Sequence, residues 1–273
     1  MAAHRRKLDL RKTLFLLPNM ITLSSIFCGF DSIRMSATST GDDDYYRASI
    51  LLVYALFFDM LDGRVARLTK TQSAFGLQID SLADVVSFGV APALLVYKWS
   101  LAQSGTVGLI FAFAFVAAGA VRLARFNVLS MGEHGAPTKP GKYIVGLPVP
   151  GAAGILISLV VANHAISGDL SSAKYVYPLM GLTGFLAFLM VSTIRFRSFK
   201  DLRLNGRTVA LVMFAVASSA MVSLQTKPAF VLVWLLALYV LIGLVETLLT
   251  LPRDLARRRR EADAAERTSM PPT

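Results

Sequence analysis

The sequence predicts an all-α polytopic membrane protein of about eight transmembrane helices with both termini cytoplasmic, and three observations predict it. Of its 273 residues, 55% are hydrophobic, and the mean hydropathy is +0.58. Apolar runs of about 20 residues, the length a helix needs to cross the hydrocarbon core, recur along the chain. Lysine and arginine outweigh the acids to give a formal net charge of +11, yet they gather at the termini and in alternate loops. That is the positive-inside pattern of a membrane protein and argues against a nucleic-acid footprint. The lone Cys28 lies in an apolar run, so no disulfide framework and no cysteine metal site is expected; it reads as a small packed residue.

Residues 1–12 form a basic segment (His4, Arg5, Arg6, Lys7, Arg11, Lys12) with Leu8 and Leu10 between the charges, as in an interfacial helix on the cytoplasmic face. A signal peptide also starts basic and turns apolar, but this run is long and lacks a small-residue cleavage site. A transmembrane catalytic domain is expected over 13–251. Its first span, 13–35, carries Asn19, Thr22 and Ser24 near the cytoplasmic end and Asp31 and Arg34 at the outer end. The acidic loop SATSTGDDDYY suits the far side. The second span covers 46–68 and the third 76–99. From Tyr46 to Asp62 is about 24 Å of helix, so Asp62 has nearly crossed back to the cytoplasmic boundary. Asp80 and Asp84 lie within about two turns of that boundary on the next span.

A fourth span, 106–127, ends in RLARFN. The Gly- and Pro-rich connection 128–151, with Lys139 and Lys142, is expected to be a structured cytoplasmic loop in which His134 is solvated. Further spans are expected at 147–165, 175–194, 209–224 and 229–251. The loop after the sixth is basic (Arg195, Arg197, Lys200, Arg203, Arg207), and the charged tail 252–273 is expected to be disordered. Basic clusters at both termini and after the second, fourth and sixth spans fit only an even number of crossings.

The stretch 59–84, DMLDGRVARLTKTQSAFGLQIDSLAD, sets four carboxylates inside or beside two spans. Residues three and four apart share a helix face, so Asp59 with Asp62 and Asp80 with Asp84 form two pairs able to meet across a short turn. Ionised carboxylates in hydrocarbon are costly and usually face a wet cavity, a counter-ion or a metal. Paired aspartates suit Mg²⁺ or Mn²⁺, which take carboxylate oxygen and leave positions open for water or phosphate. Two such ions about 4 Å apart clamp the attacking and leaving oxygens of a phosphoryl displacement. Gly63 lets a ligand approach the backbone, Arg67 is placed to meet a phosphate, and Asp84 can accept a proton from an attacking hydroxyl.

Asp62, Gly63, Ala66, Arg67, Gly76, Asp80 and Asp84 fill the pattern DGxxARx8GxxxDxxxD without a departure, with Asp59 as the preceding acid. This resembles the CDP-alcohol phosphotransferase family. PNMIT (18–22) is similar to the family's first helix. DSLADVVSFGVAPA (80–93), RLARFN (122–127) and GLPVPGAA (146–153) resemble its serine-accepting branch. The resemblance implies the CDP-alcohol phosphotransferase fold and transfer of a phosphatidyl group from CDP-diacylglycerol to L-serine with release of CMP. It implies Asp59, Asp62, Asp80 and Asp84 as ligands of two divalent ions, Mg²⁺ or Mn²⁺, with Asp84 also the general base. Gly63, Ala66, Arg67 and Gly76 then line the CDP site, and a homodimer in the inner or plasma membrane, with its site at the cytoplasmic face, is expected.

Polar Asn19 and Thr22 are expected either to help hold CDP or to bond neighbouring helices. Serine brings a carboxylate, so Arg122 or Arg125 is expected to bind it, assisted by Asn127 or a loop lysine; simple positive-inside anchoring is the alternative. Another acceptor, namely glycerol phosphate, inositol phosphate or choline, keeps the same enzyme class, although a phosphorylated one asks for a denser cationic pocket than RLARFN supplies. An ion-coupled transporter would instead spread its charges along a transmembrane route, whereas these cluster at one end.

Overall fold

The computed structural model describes residues 10–69, 71, 73–130, 143–197, 218, 231, 234–238 and 240–242. It is mostly helical. Helix α1 (Leu10–Ala37) packs along α2 (Asp42–Leu68), and a tight turn leads into α3 (Ala74–Asp84). A π-helical segment, Val85–Val90, joins α3 without a break to α4 (Ala91–Trp99). After a 3-10 turn come α5 (Thr106–Ser130), strand β1 (Tyr143–Val145), α6 (Val149–Ala165), α7 (Val176–Val191) and strand β2 (Arg195–Arg197).

Among the described residues, three stretches, Ala74–Trp99, Thr106–Leu129 and Ala173–Val191, are long and apolar enough to cross a membrane, and Val149–Ala165 is a shorter apolar helix. Helices α1 and α2 are as long, at 28 and 27 residues, but α2 carries acids in its first turn and further charges from Asp59 onward. Side chains such as Met20, Leu23, Phe27 and Phe30 recur at helical spacing on the outside of α1. A stripe of that kind is the face a lipid-embedded helix presents to acyl chains. The interior, by contrast, is filled by Leu52, Phe88, Leu95, Phe115, Leu156 and Met190.

The α2–α3 turn fixes how the aspartates meet. Thr69 Oγ1 donates to the Val65 carbonyl over 2.7 Å, and Thr71 N donates to the Ala66 carbonyl over 3.1 Å. Ser73 caps α3 by accepting from Gly76 N at 3.0 Å. A side-chain acceptor there satisfies one of the orphan donors of the first turn. The backbone accordingly changes course within a few residues, and α3 packs against α1, the π segment and α5.

The π segment is a departure from the uninterrupted span expected at 76–99. It buries Ser87, Phe88 and Gly89. Ser87 Oγ donates to the Ser25 carbonyl of α1 over 3.0 Å, and Ser25 Oγ donates to the Ala55 carbonyl of α2 over 3.2 Å. Gly29 makes the contact possible, since a Cβ there would lie 2.8 Å from Ser87 Cα. Extra-residue turns of this type re-aim side chains and are frequent at functional sites.

The strands are a second departure from a purely helical reading. β1 and β2 pair antiparallel, Ile144 opposite Phe196. Gly146, at φ +79°, turns the chain from β1 towards α6, and its N–H donates to the Ile194 carbonyl over 2.8 Å. Three residues without a tight turn to their partner give no local strand signal, because the pairing is made by segments far apart in sequence. The expected spans at 209–224 and 229–251 lie outside the described residues except for positions such as 234–238, where Leu236 meets Gly154 of α6. Segment 1–9, the loop residues His134, Lys139 and Lys142, and the tail 252–273 also lie outside them.

Candidate active site

Asp59 and Asp62 stand one turn apart on α2, and Asp80 faces them from α3. One oxygen from each of these three carboxylates lies within 4.8 Å of the other two. Asp62 is buried, and Asp59 and Asp80 are partly so. Asp84, one turn beyond Asp80, is also buried and within electrostatic reach of Asp59, Asp80 and Arg122. Its Oδ1 has no hydrogen-bond partner among the described residues.

Four acids brought together, one of them with a buried oxygen that has no donor among the described residues, concentrate carboxylate oxygens at one place. Oxygen-only donors at this spacing fit hard divalent cations such as Mg²⁺ and Mn²⁺.

Helix α1 supplies the third wall. Thr22 Oγ1 lies 2.6 Å from Asp62 Oδ2. Asn19 is one turn before it, and a Cβ added to Gly76 would come 3.8 Å from Asn19 Oδ1. A Cβ on Gly63 would come 3.5 Å from Arg67 Nη1, so the exposed Arg67 guanidinium folds back across the open face of Gly63. Ala66 is half-buried beside it. Gly63, Ala66, Arg67, Gly76, Asn19 and Thr22 thus surround the same end of the helices as the acids.

The RLARFN segment divides. Arg122 is buried with its guanidinium carbon 5.9 Å from the Phe126 ring centroid and lies within electrostatic reach of Asp84. Arg125 is turned elsewhere. Its Nη1 donates to the Val191 carbonyl at 3.1 Å, and its Nη2 donates to the carbonyls of Val145 at 3.3 Å and Ser192 at 3.4 Å. Asn127 is also engaged, its Nδ2 donating to Ser81 Oγ at 2.9 Å and Gln78 Oε1 at 3.3 Å. Of the three residues expected at a serine carboxylate, Arg122 lies within electrostatic reach of Asp84, while Arg125 and Asn127 tie α5 to its neighbours.

The sequence reading did not single out Ser81, Gln78, Ser25 or Ser87 as partners in these ties. Polar side chains in apolar helices carry no pattern that names a partner; Gln78 and Ser81 lie within the motif, and Ser25 and Ser87 lie outside it.

The family profile described as CDP-alcohol phosphatidyltransferase matches residues 15–193. The chain belongs to that family. CDP-diacylglycerol–serine O-phosphatidyltransferase of Helicobacter pylori strain J99 is 33% identical over 252 residues, covering 91% of this chain and 98% of that protein. The protein of the same description from Methanocaldococcus jannaschii is 32% identical over 230 residues, 83% of this chain and 98% of its own length. An archaetidylserine synthase of Methanothermobacter thermautotrophicus is 33% identical over 182 residues, 66% of this chain and 69% of its own. The CDP-alcohol phosphatidyltransferase match takes in every helix from α1 to α7 and all four aspartates. The chain is accordingly an enzyme, a membrane transferase of phospholipid biosynthesis.

Proposed function

We propose that this enzyme transfers the phosphatidyl group of CDP-diacylglycerol to the hydroxyl of L-serine, giving phosphatidylserine and CMP. The observation that carries the reading is the convergence of Asp59, Asp62 and Asp80 within 4.8 Å beside a buried Asp84. The serine acceptor is supported by the description of relatives that align over most of this chain.

In this reading Asp59, Asp62 and Asp80, with Asp84, hold two divalent cations. Bound there, Mg²⁺ or Mn²⁺ neutralises the diphosphate and stabilises charge on the displaced phosphate oxygen. Gly63, Ala66 and Gly76 leave room for CDP, Arg67 meets its phosphate, and Asn19 borders the nucleotide. Asp84 takes the proton from the serine hydroxyl as the new O–P bond forms, and the bond to CMP breaks with its electron pair leaving on CMP. Arg122, beside Asp84, meets the serine carboxylate.

The same reading takes residues 13–251 as the transmembrane domain, with about eight spans, and the basic segments 1–12 and 252–273 on the cytoplasmic side. The acids then lie at the cytoplasmic face, where soluble serine and a lipid-anchored nucleotide can both arrive, and two copies of the chain form the working unit.

The test is CMP release by the purified protein supplied with CDP-diacylglycerol, Mn²⁺ or Mg²⁺, and one acceptor at a time: serine, glycerol phosphate, inositol phosphate or choline. Release with serine alone is expected. Turnover with another acceptor and none with serine overturns the acceptor assignment, and full activity in metal-free protein overturns the cation assignment.

A further inference from the structure

The geometry points to Thr22 as a positioning residue for the cation site: its hydroxyl, reaching from α1 to α2, holds the Asp62 carboxylate in the orientation that converges with Asp59 and Asp80. Thr22 is buried and its Oγ1 lies 2.6 Å from Asp62 Oδ2, the short distance of a hydroxyl donating to a carboxylate. Oγ1 also lies 3.0 Å from the Pro18 carbonyl. A hydroxyl has one proton, and the shorter contact to the charged acceptor takes it.

The position of that donor is set twice over. Thr22 is β-branched, so its χ1 is restricted within the helix. One turn deeper, Ser25 Oγ donates to the Ala55 carbonyl over 3.2 Å and fixes α1 against α2. Without this donor Asp62 keeps the Gly63 backbone N–H and the nearby charge of Arg67 but loses its tie to α1, close to two like charges that repel it.

The consequence separates Thr22 from its neighbour Asn19. Since the Thr22 proton is committed to Asp62, a direct hydrogen bond from this hydroxyl to a nucleotide would break the bond that orients the ligand. Thr22 acts through Asp62 on metal affinity. Groups behind a metal ligand commonly set its affinity in this way.

This inference rests on the cation site proposed above. The test is a Mn²⁺ titration by electron paramagnetic resonance of the full-length protein in detergent without lipid substrate, comparing wild type, Thr22→Val, Thr22→Ser and Ser24→Ala. Valine keeps the shape and removes the proton, serine keeps the proton, and Ser24, whose hydroxyl turns back onto the Met20 carbonyl at 3.0 Å, is the control.

Thr22→Val is expected to bind Mn²⁺ about ten- to a hundredfold more weakly, with Thr22→Ser and Ser24→Ala within about threefold of wild type. At saturating Mn²⁺ the KM of Thr22→Val for CDP-diacylglycerol stays within about twofold of wild type. Unchanged Mn²⁺ affinity in Thr22→Val overturns this inference alone, and a raised KM at saturating Mn²⁺ in that case makes Thr22 a nucleotide contact. Wild-type protein that binds no Mn²⁺ brings down the cation site and this inference together.

Discussion

Arg125 donates to the carbonyl oxygen of Val191 over 3.1 Å, and this bond ties the end of α5 to the end of α7. The same guanidinium reaches Val145 and Ser192, so one side chain holds three backbone carbonyls where α5, β1 and α7 meet. Its planar fork of donors suits this task, and a lysine cannot reproduce it. Arg122, one turn earlier, is buried on the side of Asp84. Two arginines three residues apart therefore do different work.

Their variants should separate accordingly. Arg125→Ala is expected to lower stability by about 2 kcal/mol, since hydrogen bonds involving a charged group contribute measurably and its carbonyl partners lose their donor. Its KM for serine should change little in the folded fraction. Arg122→Ala is expected to raise the serine KM by at least about tenfold while the KM for CDP-diacylglycerol holds, the signature of a lost acceptor contact. Thermal midpoints and CMP-release kinetics on the same preparations check both; a serine KM that rises only in Arg125→Ala reverses the assignment.

Cation removal should be visible in stability as well as in activity. A ligand that binds only the folded state stabilises it by about 2.7 kcal/mol at a hundred times its Kd. The expected outcome is a thermal midpoint that falls on treatment with EDTA and recovers with Mn²⁺, together with CMP release. Asp80→Asn removes one of the three converging carboxylates, so it should abolish both the activity and the Mn²⁺-dependent rise. An Asp80→Asn protein whose midpoint still climbs with Mn²⁺ places the cation elsewhere.

Asn127 offers a third separation. Its amide joins Ser81 and Gln78 of α3, and Ser81 adjoins Asp80. Asn127→Leu removes the cross-helix bonds of the Ser81 hydroxyl, which keeps its bond to the Leu77 carbonyl, so the loss is about 1 kcal/mol. Asn127→Leu should therefore lower the thermal midpoint and kcat, with serine and CDP-diacylglycerol KM values moving together. A selective rise in serine KM would return Asn127 to the acceptor pocket.

The acid cluster was legible in the sequence because its geometry is local. Helix periodicity puts Asp59 beside Asp62 and Asp80 beside Asp84, and a short turn leaves the two pairs few ways not to meet. The end of α1 was partly legible: Asn19 and Thr22 were singled out at the end of α1 that flanks the acids, but the link from Thr22 to Asp62 crosses a helix contact that no spacing encodes. Arg125 looked equivalent to Arg122 because its partners are backbone carbonyls of Val145, Val191 and Ser192, which could belong to any residues. The π segment escaped for a similar reason. It answers a close approach between Ser87 and Gly29, and only packing reveals it.

That close approach gives the last prediction. A Cβ on Gly29 would lie 2.7 Å from Ser87 Oγ and 2.8 Å from Ser87 Cα. The hydroxyl can rotate away, but the Cα cannot, so Gly29→Ala must push α1 from the π segment. Overpacking of this kind costs about 1–3 kcal/mol. Ser87 follows Asp84 by less than one turn, and α1 carries Thr22, so the separation also moves the two flanks of the acid site apart. Gly29→Ala is thus expected to lose kcat beyond what its lowered thermal midpoint explains, with Mn²⁺ affinity falling alongside. Gly181 of α7 is the matched control, because a Cβ there meets nothing within 4 Å. Exchanging that helical glycine for alanine should instead raise stability, by up to about 1 kcal/mol, with CMP release unchanged. If Gly29→Ala and Gly181→Ala behave alike in both measurements, the α1–π contact has no part in shaping the site.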